Sequence, residues 1–172
     1  MSLTIITGPM YSGKSTYLYD KLGELDNTNV LIVKHHDDTR YNSDCIVTHD
    51  KKMVKATSIK NLREIYDLAN YDDVENILID EGQFFDNLYS FVKVALNDEK
   101  NIYISGLISD YEMNPFENLL EVLCLADTII FKKAKCDCGN EASFSKRLVN
   151  DNKQILIGSD CYKPTCRKCF YK

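Results

Sequence analysis

Gly-Pro-Met-Tyr-Ser-Gly-Lys-Ser-Thr, at residues 8–16, is the most informative stretch of the chain. It matches the phosphate-loop pattern G-x-x-x-x-G-K-[ST], whose fixed positions are Gly8, Gly13, Lys14 and Ser15. Glycines let the backbone curl around a polyphosphate, and the N-terminus of the following helix adds unpaired N–H groups. Lys14 supplies a full positive charge, and the Ser15 hydroxyl is a ligand for Mg²⁺. The stretch therefore predicts a site for a phosphorylated ligand.

The residues on both sides of this loop have the pattern that it requires. Residues 3–7 read as a buried strand, and residues 16–25 can form a helix. Further apolar runs predict strands at 29–34, 76–79, 101–106 and 128–131. Amphipathic spacing predicts helices at 58–69, 84–97 and 116–126, with Cys124 on the apolar face of the last. Strands that alternate with helices indicate an α/β fold of the P-loop (RecA-like) type, a parallel sheet with helices on both faces.

Composition and charge narrow the range of partners. The chain has 172 residues and a net charge of −5, whereas a protein that binds nucleic acid needs a basic face. No apolar run reaches the ~18 residues of a membrane span, and no secretion signal is visible at the N-terminus. We therefore expect a cytoplasmic protein, or one of the host cytoplasm if it is viral, that binds neither nucleic acid nor membranes.

Two carboxylates directly follow the third predicted strand. Asp80 stands where P-loop proteins place the acid of the magnesium network. Glu81 comes one residue later and could accept the proton of an attacking hydroxyl. Arg40, in the polar loop after the second strand, is a candidate clamp for a transferred phosphoryl group because its planar fork matches phosphate oxygens. The alternative for each of these residues is a solvated loop side chain.

The C-terminal region has a cysteine pattern of its own. Its two pairs of cysteines are Cys136, Cys138, Cys166 and Cys169. Four thiolates from two knuckles are typical of structural zinc, and a sheet formed by β-like runs at 142–149 and 153–157 is too small to fold without a cross-link. The first knuckle is C-x-C rather than C-x-x-C, so Cys161 remains an alternative ligand. We predict a nucleotide-binding α/β domain at 1–134 and a zinc-ribbon-like β domain at 135–172.

Further motifs follow the phosphate loop in a fixed order. They are D-T-R-Y at 38–41, T-H-D at 48–50, I-D-E-G-Q-F-F at 79–85, P-F at 115–116, S-K-R-L at 145–148 and C-R-K-C-F at 166–170. Together with the loop, over nearly the whole chain, they resemble the type II thymidine kinases of animal cells, many bacteria and large DNA viruses. Several independent motifs in order are more specific than the phosphate loop alone.

The resemblance implies phosphorylation of the 5′-hydroxyl of thymidine and of deoxyuridine by ATP, giving dTMP and ADP from thymidine. It implies Glu81 as general base, with Arg40 and Lys14 as further catalytic residues, and Mg²⁺ near Ser15 and Asp80. The residues implied at the ATP phosphates are Gly8, Pro9, Met10, Tyr11, Ser12, Gly13, Lys14, Ser15, Asp38, Arg40, Asp80 and Gln83. Those implied at the nucleoside are Met10, Phe84, Leu107, Tyr111, Phe116, Ser145, Leu156, Ile157, Gly158 and Tyr162.

The same resemblance implies features beyond these residues. Tyr111 stands where the family usually has phenylalanine, stacked on the thymine ring, and Ser145 stands where a threonine is common. A lasso loop at about 156–162 would close from the zinc domain over the nucleoside. The family also implies structural Zn²⁺, a homotetramer and feedback inhibition by dTTP.

Two other functions remain open at this stage. One is a kinase for a different nucleoside, which a competition assay with thymidine, deoxyuridine and deoxycytidine separates from the first. The other is a zinc-ribbon protein that binds nucleic acid under the control of ATP. The acidic net charge counts against the second, and salt-dependent DNA binding with DNA-stimulated ATP hydrolysis would favour it.

Overall fold

A parallel sheet forms the centre of the molecule in the computed structural model, which describes residues 1–25, 29–38, 45–47, 53–68, 70–156, 158 and 160–172. The strands up to residue 131 are β1 (Ser2–Thr7), β2 (Val30–His35), β3 (Cys45–Val47), β4 (Met53–Lys55), β5 (Thr57–Ile59), β6 (Asn76–Asp80), β7 (Asn101–Gly106) and β8 (Thr128–Phe131). Among the described residues the sheet has six strands in the order β5-β2-β6-β7-β1-β8, all parallel. β3 and β4 form a separate antiparallel pair.

Helices cover both faces of this sheet. They are α1 (Lys14–Glu24), α2 (Leu88–Asn97) and α3 (Glu117–Val122). Leu18 of α1 packs with Ile6 and Leu78, while α2 and α3 pack on the opposite face with the alternate strand residues, such as Ile77 and Ile79. The predicted fold class is therefore confirmed. No helix in the described part of the chain has both the length and the apolar character needed to cross a bilayer.

The predicted helix at 58–69 is wrong. Thr57–Ile59 instead forms edge strand β5, parallel to β2, because β-branched residues there pair with the end of β2. A 3₁₀ helix follows at Leu62–Asp67, and its cap is Asn61 rather than Ser58. The Asn61 carboxamide oxygen accepts from the N–H of Arg63 at 2.9 Å, and Glu64 accepts from the N–H of Asn61 at 2.8 Å. A capping box therefore fixes the start of the turn.

Two other predicted helices are shorter than their sequence spacing indicates. The one predicted from residue 84 begins at Leu88, after a 3₁₀ turn at Gly82–Phe84. The one predicted at 116–126 ends as α3 at Val122 and continues as a 3₁₀ turn. Cys124 lies in that turn and is exposed, so its predicted inward position is wrong.

The C-terminal module consists of short antiparallel pairs. Its elements are β9 (Ala134–Lys135), β10 (Glu141–Ala142), β11 (Phe144–Arg147), β12 (Tyr162–Thr165) and α4 (Arg167–Phe170). β9 pairs with β10, and β11 pairs with β12 rather than with 153–157 as predicted. The predicted hairpin is therefore wrong. The stretch between β11 and β12 is called the 148–161 loop below, and the structure describes its residues 148–156, 158, 160 and 161. The predicted domain boundary at 134/135 falls inside β9.

The carboxyl ends of the central strands meet at one edge of the sheet. Thr7 at the end of β1 is in register with Gly106 at the end of β7. Lys34, near the end of β2, is in register with Asp80 at the end of β6. Ligands of open α/β sheets bind at this edge. The phosphate loop, the two acids and the loop after β7 consequently share one location.

Candidate active site

The phosphate loop runs from the end of β1 into α1. Gly8 has φ +143° and Gly13 has φ +79°, angles that side chains rarely adopt. A Cβ at Gly8 would collide with the carbonyl oxygen of Lys132, so this glycine lets the loop approach the end of β8. Gly13 is the N-cap of α1, and its carbonyl oxygen accepts from the N–H of Tyr17 at 3.0 Å. The loop therefore delivers the N-terminus of α1 to the strand edge.

Polar groups in this loop are buried and point to an anionic ligand. Lys14 is 8% exposed, and its ammonium group donates to the carbonyl oxygen of Pro9 at 2.9 Å. The hydroxyls of Ser12 and Thr7 are buried without a hydrogen-bond partner among the described residues. An unpaired buried hydroxyl is costly, and a bound phosphate would supply the missing acceptor. These buried hydrogen-bond donors therefore fit a polyphosphate ligand.

Asp80 faces the first turn of α1. Its two carboxylate oxygens lie 3.2 and 3.1 Å from the Ser15 hydroxyl, and the Ser105 hydroxyl also donates to it. Asp80 is 4% exposed, so these contacts form away from bulk water. A hydroxyl and a carboxylate at this separation are the oxygen ligands that Mg²⁺ prefers. Ser15 and Asp80 could therefore hold Mg²⁺ between them and the phosphates of a nucleotide.

Glu81, the residue after Asp80, is held by a buried amide. Its backbone is left-handed, with φ 53° and ψ 47°, a conformation that costs energy for a residue other than glycine. The Gln83 amide nitrogen donates to the Glu81 carboxylate at 2.6 Å, and the Leu107 N–H donates to the Gln83 amide oxygen at 3.0 Å. A Cβ at Gly106 would lie 2.6 Å from that oxygen, so Gly106 makes room for the amide.

A pocket opens beside Glu81, between the strand edge and the C-terminal module. The lining residues that the sequence resemblance implies are Met10, Phe84, Leu107, Tyr111, Phe116, Ser145, Leu156, Gly158 and Tyr162. Further lining residues that it did not supply are Ser109, Asp110, Gln154 and Ile155. The walls are mostly apolar and aromatic, with Glu81 at one end, which suits a flat heterocycle linked to a hydroxylated sugar.

Several implied residues lie elsewhere or cannot be placed. Gln83, implied at the ATP phosphates, is 2% exposed and lies behind Glu81. Asp38 is buried, and its carboxylate lies 3.9 Å from the ammonium group of Lys34. Arg40 and Ile157 lie outside the described residues.

Ser145 and Asp110 fix the walls of the pocket through the main chain. The Met10 N–H donates to the Ser145 hydroxyl at 2.9 Å, which ties the C-terminal module to the phosphate loop. The Asp110 carboxylate accepts from the N–H groups of Glu112 and Asn114 at 2.8 and 2.9 Å. These bonds close the turn that carries Tyr111. The sequence analysis did not identify Asp110. The pattern that could have identified it is the Asp-x-Glu-x-Asn spacing, which is typical of a turn closed by an aspartate side chain.

The cysteine cluster lies in the C-terminal module. The sulfur atoms of Cys136, Cys138, Cys166 and Cys169 all lie within 4.8 Å of one another. Cys161 lies outside this cluster, so the structure favours the C-x-C knuckle over the alternative. Hydrogen bonds from the backbone N–H groups of Cys138 and Cys166 lower the pKa of Cys136 to about 6. A hydrogen bond from the backbone N–H of Cys169 likewise lowers the pKa of Cys166, whereas hydrogen bonds with the thiols of Cys138 and Cys166 raise the pKa of Cys169 to about 12. Four converging thiols, two of them inclined to ionise, fit a tetrahedral metal ion such as zinc.

Comparisons with known proteins agree with this geometry. A family model described as "Thymidine kinase" matches residues 1–170. The thymidine kinase of Fowlpox virus (strain NVSL) is 38% identical over 99% of this chain and 97% of its own length. That of Oryza sativa subsp. japonica is 38% identical over 95% of this chain, which spans 64% of the rice protein. That of Vaccinia virus (strain Ankara) is 34% identical over 98% of this chain and 96% of its own.

A likeness among solved structures is more distant. The ATPase DotB of Legionella pneumophila superposes with a TM-score of 0.45 at 16% identity. The match covers 81% of this chain and 43% of DotB. At that level of similarity it supports no inference about this chain.

Proposed function

This chain belongs to the thymidine kinase family, and we propose that it transfers the γ-phosphoryl group of ATP to the 5′-hydroxyl of thymidine. The products are dTMP and ADP. One observation carries the proposal: two consecutive residues face opposite partners. Asp80 contacts the Ser15 hydroxyl beside the phosphate loop, while Glu81 lines the pocket for the nucleoside. The phosphoryl donor and the acceptor hydroxyl would therefore meet between the phosphate loop, on the side of Asp80, and the nucleoside pocket, on the side of Glu81.

The phosphate loop and Lys14 bind the donor end. Backbone N–H groups at the start of α1, the Ser12 hydroxyl and the Lys14 ammonium group surround the ATP phosphates. Mg²⁺ on Ser15 and Asp80 supplies charge neutralisation when bound. Asp38 lies close to Lys34, so both charged side chains belong to the edge of the sheet where the phosphates would bind. We propose from the sequence that Arg40 binds the transferred phosphoryl group. Positioning and electrostatics do most of the work in such a transfer.

Glu81 accepts the proton of the 5′-hydroxyl. The carboxylate is buried, is oriented by the Gln83 amide and lines the pocket in which the substrate hydroxyl would lie. Because Asp80 contacts the Ser15 hydroxyl whereas Glu81 lines the nucleoside pocket, the magnesium ligand and the proton acceptor serve different partners. General base catalysis of this kind contributes roughly 10²- to 10⁴-fold to the rate.

The apolar pocket binds the pyrimidine. Tyr111, Phe84 and Phe116 supply aromatic surface. The 148–161 loop supplies the cover through Gln154, Ile155, Leu156 and Gly158. We propose deoxyuridine as a second substrate because an apolar wall distinguishes a methyl group by only about 1–3 kcal/mol. The triphosphate dTTP, which is made from dTMP by later phosphorylation, would place its base in this pocket and its phosphates at the phosphate loop. This fit supports feedback inhibition by dTTP.

The C-terminal module holds structural zinc in our proposal. The cluster is closed by four cysteines, with no histidine or carboxylate among them, a set that is typical of structural rather than catalytic zinc. All seven cysteines of the chain lie among the described residues and are free thiols, which agrees with a cytoplasmic protein. The half-exposed apolar side chains of Ile129 and Phe131 on edge strand β8 support assembly, for which we propose the homotetramer.

The decisive experiment is a phosphorylation assay with competing nucleosides. The purified protein, with Mg²⁺ and γ-labelled ATP, receives thymidine, deoxyuridine and deoxycytidine together. We expect label in dTMP first, in dUMP second, and little in dCMP. Preferential labelling of dCMP would replace the substrate assignment with a different nucleoside kinase. ATP hydrolysis that requires DNA and leaves every nucleoside unlabelled would contradict the kinase proposal altogether.

A further inference from the structure

The guanidinium group of Arg147 holds the 148–161 loop by hydrogen bonds to its main chain. One terminal nitrogen donates to the carbonyl oxygens of Asp151 and Lys153, the former at 2.7 Å. The other donates to the carbonyl oxygen of Gln154 at 3.1 Å and to the Tyr162 hydroxyl at 2.6 Å. Three carbonyl groups within four consecutive residues of the loop therefore converge on one side chain.

The same guanidinium lies against two rings of the nucleoside pocket. Its central carbon is 3.6 Å from the centre of the Tyr111 ring and 5.1 Å from that of Tyr162. Both rings line the pocket. Arg147 thus joins three parts of the site: the turn that carries Tyr111, the start of β12 and the loop that covers the pocket. A cation over an aromatic face adds attraction beyond simple packing.

Arginine is the side chain that this arrangement requires. Its fork presents five N–H donors in one plane, and here four bonds come from the two terminal nitrogens. The fifth donor, Nε, is buried without an acceptor among the described residues. A lysine has three donors on one atom and no plane to stack on a ring, so it cannot reproduce these contacts.

The other hydrogen bonds described for this loop are local. The Lys153 N–H donates to the Asp151 carboxylate at 2.8 Å, and the Asp151 N–H donates to the Val149 carbonyl oxygen at 3.2 Å. At its two ends, the Leu148 N–H donates to the Cys161 carbonyl oxygen at 2.8 Å. None of these bonds connects the middle of the loop to the pocket wall, whereas Arg147 does. Without it, the carbonyl groups at 151, 153 and 154 would turn to water.

We propose that Arg147 is a positioning residue that pre-forms the cover of the nucleoside pocket and thereby sets the affinity for the nucleoside. The proposal rests on the proposed function, because it names how that same pocket is closed. An apparent dissociation constant rises in proportion as the competent conformation becomes rarer. Phosphoryl transfer itself should change little, because the described contacts of Arg147 are with the loop, Tyr111 and Tyr162.

Steady-state kinetics test the proposal with Arg147→Lys and Arg147→Gln. We expect the KM for thymidine to rise about 10- to 100-fold, whereas kcat and the KM for ATP stay within about threefold. Lys153→Ala is the matched control, because Lys153 is exposed and gives Arg147 only its main-chain carbonyl oxygen. Its kinetics should equal those of the unaltered protein. An unchanged KM for thymidine in both Arg147 variants would overturn the proposal.

A second measurement needs no substrate. Ligand-free protein is digested briefly with thermolysin, cleavage within 148–161 is mapped by mass spectrometry, and zinc content is measured in parallel. We expect faster cleavage of the loop in both Arg147 variants, with zinc retained. Loss of zinc together with a parallel fall in kcat would mean a purely structural role and would overturn the proposal. If the unaltered protein phosphorylates no thymidine but the cleavage difference holds, the proposed substrate fails and the positioning role stands.

Discussion

The sheet and the C-terminal module are held together by different physical means. In the described residues, the larger core of the sheet contains twenty buried side chains, including Phe85, Phe91 and strand residues such as Ile77 and Ile79. The core of the module contains four, of which two are alanines and two are cysteines. Apolar burial suffices for the first but not for the second, which lies far below the size of a stable independent core.

This difference divides the site into two parts. The phosphate loop, Asp80 and Glu81 belong to the sheet, while Ser145, Tyr162 and the 148–161 loop belong to the module. We therefore expect donor binding and proton transfer to depend on the sheet, and nucleoside affinity to depend on the module and its metal.

Replacing Glu81 with glutamine should have the largest effect. The variant keeps the shape of the side chain but cannot accept the proton of the 5′-hydroxyl, so kcat should fall by ~10²-fold or more. Because Glu81 follows the end of a sheet strand, is held by Gln83 and lines the nucleoside pocket, ATP affinity should stay within about threefold. Single-turnover kinetics and ATP titration measure the two quantities. Near-normal turnover would remove Glu81 from its proposed role.

Cys166→Ser should affect the other half of the site. Removal of one of the four clustered thiols should weaken the binding of the proposed zinc ion, so that the module loses this cross-link. We expect the KM for thymidine to rise by ~10-fold or more and zinc content to fall, while ATP affinity is kept. Cys124→Ser and Cys161→Ser are matched controls, since neither sulfur belongs to the cluster. If Cys161→Ser lost zinc as Cys166→Ser does, the ligand set would need revision.

Gln83→Glu should change the pH dependence within the sheet half. The new carboxylate would lie at hydrogen-bond distance from that of Glu81, where the amide donates at 2.6 Å now. Two adjacent carboxylates share a proton, so the apparent pKa for loss of that shared proton rises. The pair is then fully ionised, and able to accept the substrate proton, only at a higher pH. We expect kcat/KM near pH 6 to fall about tenfold and the deficit to shrink towards pH 8. Gln83→Met, which adds no charge, should lower the rate without moving the profile; an equal shift in both variants would contradict this account.

Sequence reasoning was strongest where one short pattern determines a local structure. The phosphate loop, the strands around it and the acids at the end of β6 follow from residues that are adjacent in the chain. All implied pocket residues that the structure describes also meet in one place, since strand ends converge at one edge. The family motifs supplied these residues, and the fold supplied the reason that they meet.

Sequence reasoning failed where long-range pairing decided the outcome. Residues 153–157 have the composition of a strand, yet β11 pairs with β12 because Phe144–Arg147 and Tyr162–Thr165 bring the two cysteine knuckles together. The role of Arg147 depends on carbonyl groups that are displayed by the loop, and no side-chain pattern encodes them. The Gln83 amide likewise reaches Glu81 because a turn brings the two residues together and because Gly106 has no Cβ that would collide with the amide. The spacing of these residues in the sequence does not reveal either cause.

Asn61→Ala tests the smallest effect, on stability rather than on activity. The substitution removes the oxygen that accepts from the Arg63 N–H at 2.9 Å and from the Asn87 amide at 3.0 Å, so the 3₁₀ helix loses its cap. We expect the free energy of unfolding of the sheet to fall by about 1 kcal/mol, measured by urea denaturation. Lys60→Ala, next to the cap and exposed, is the control. Because the sheet owes its stability to apolar burial, the loss should be equal with zinc present and after chelation. A loss that depended on chelation would mean that the two halves unfold as one unit, and the division of the site would fail.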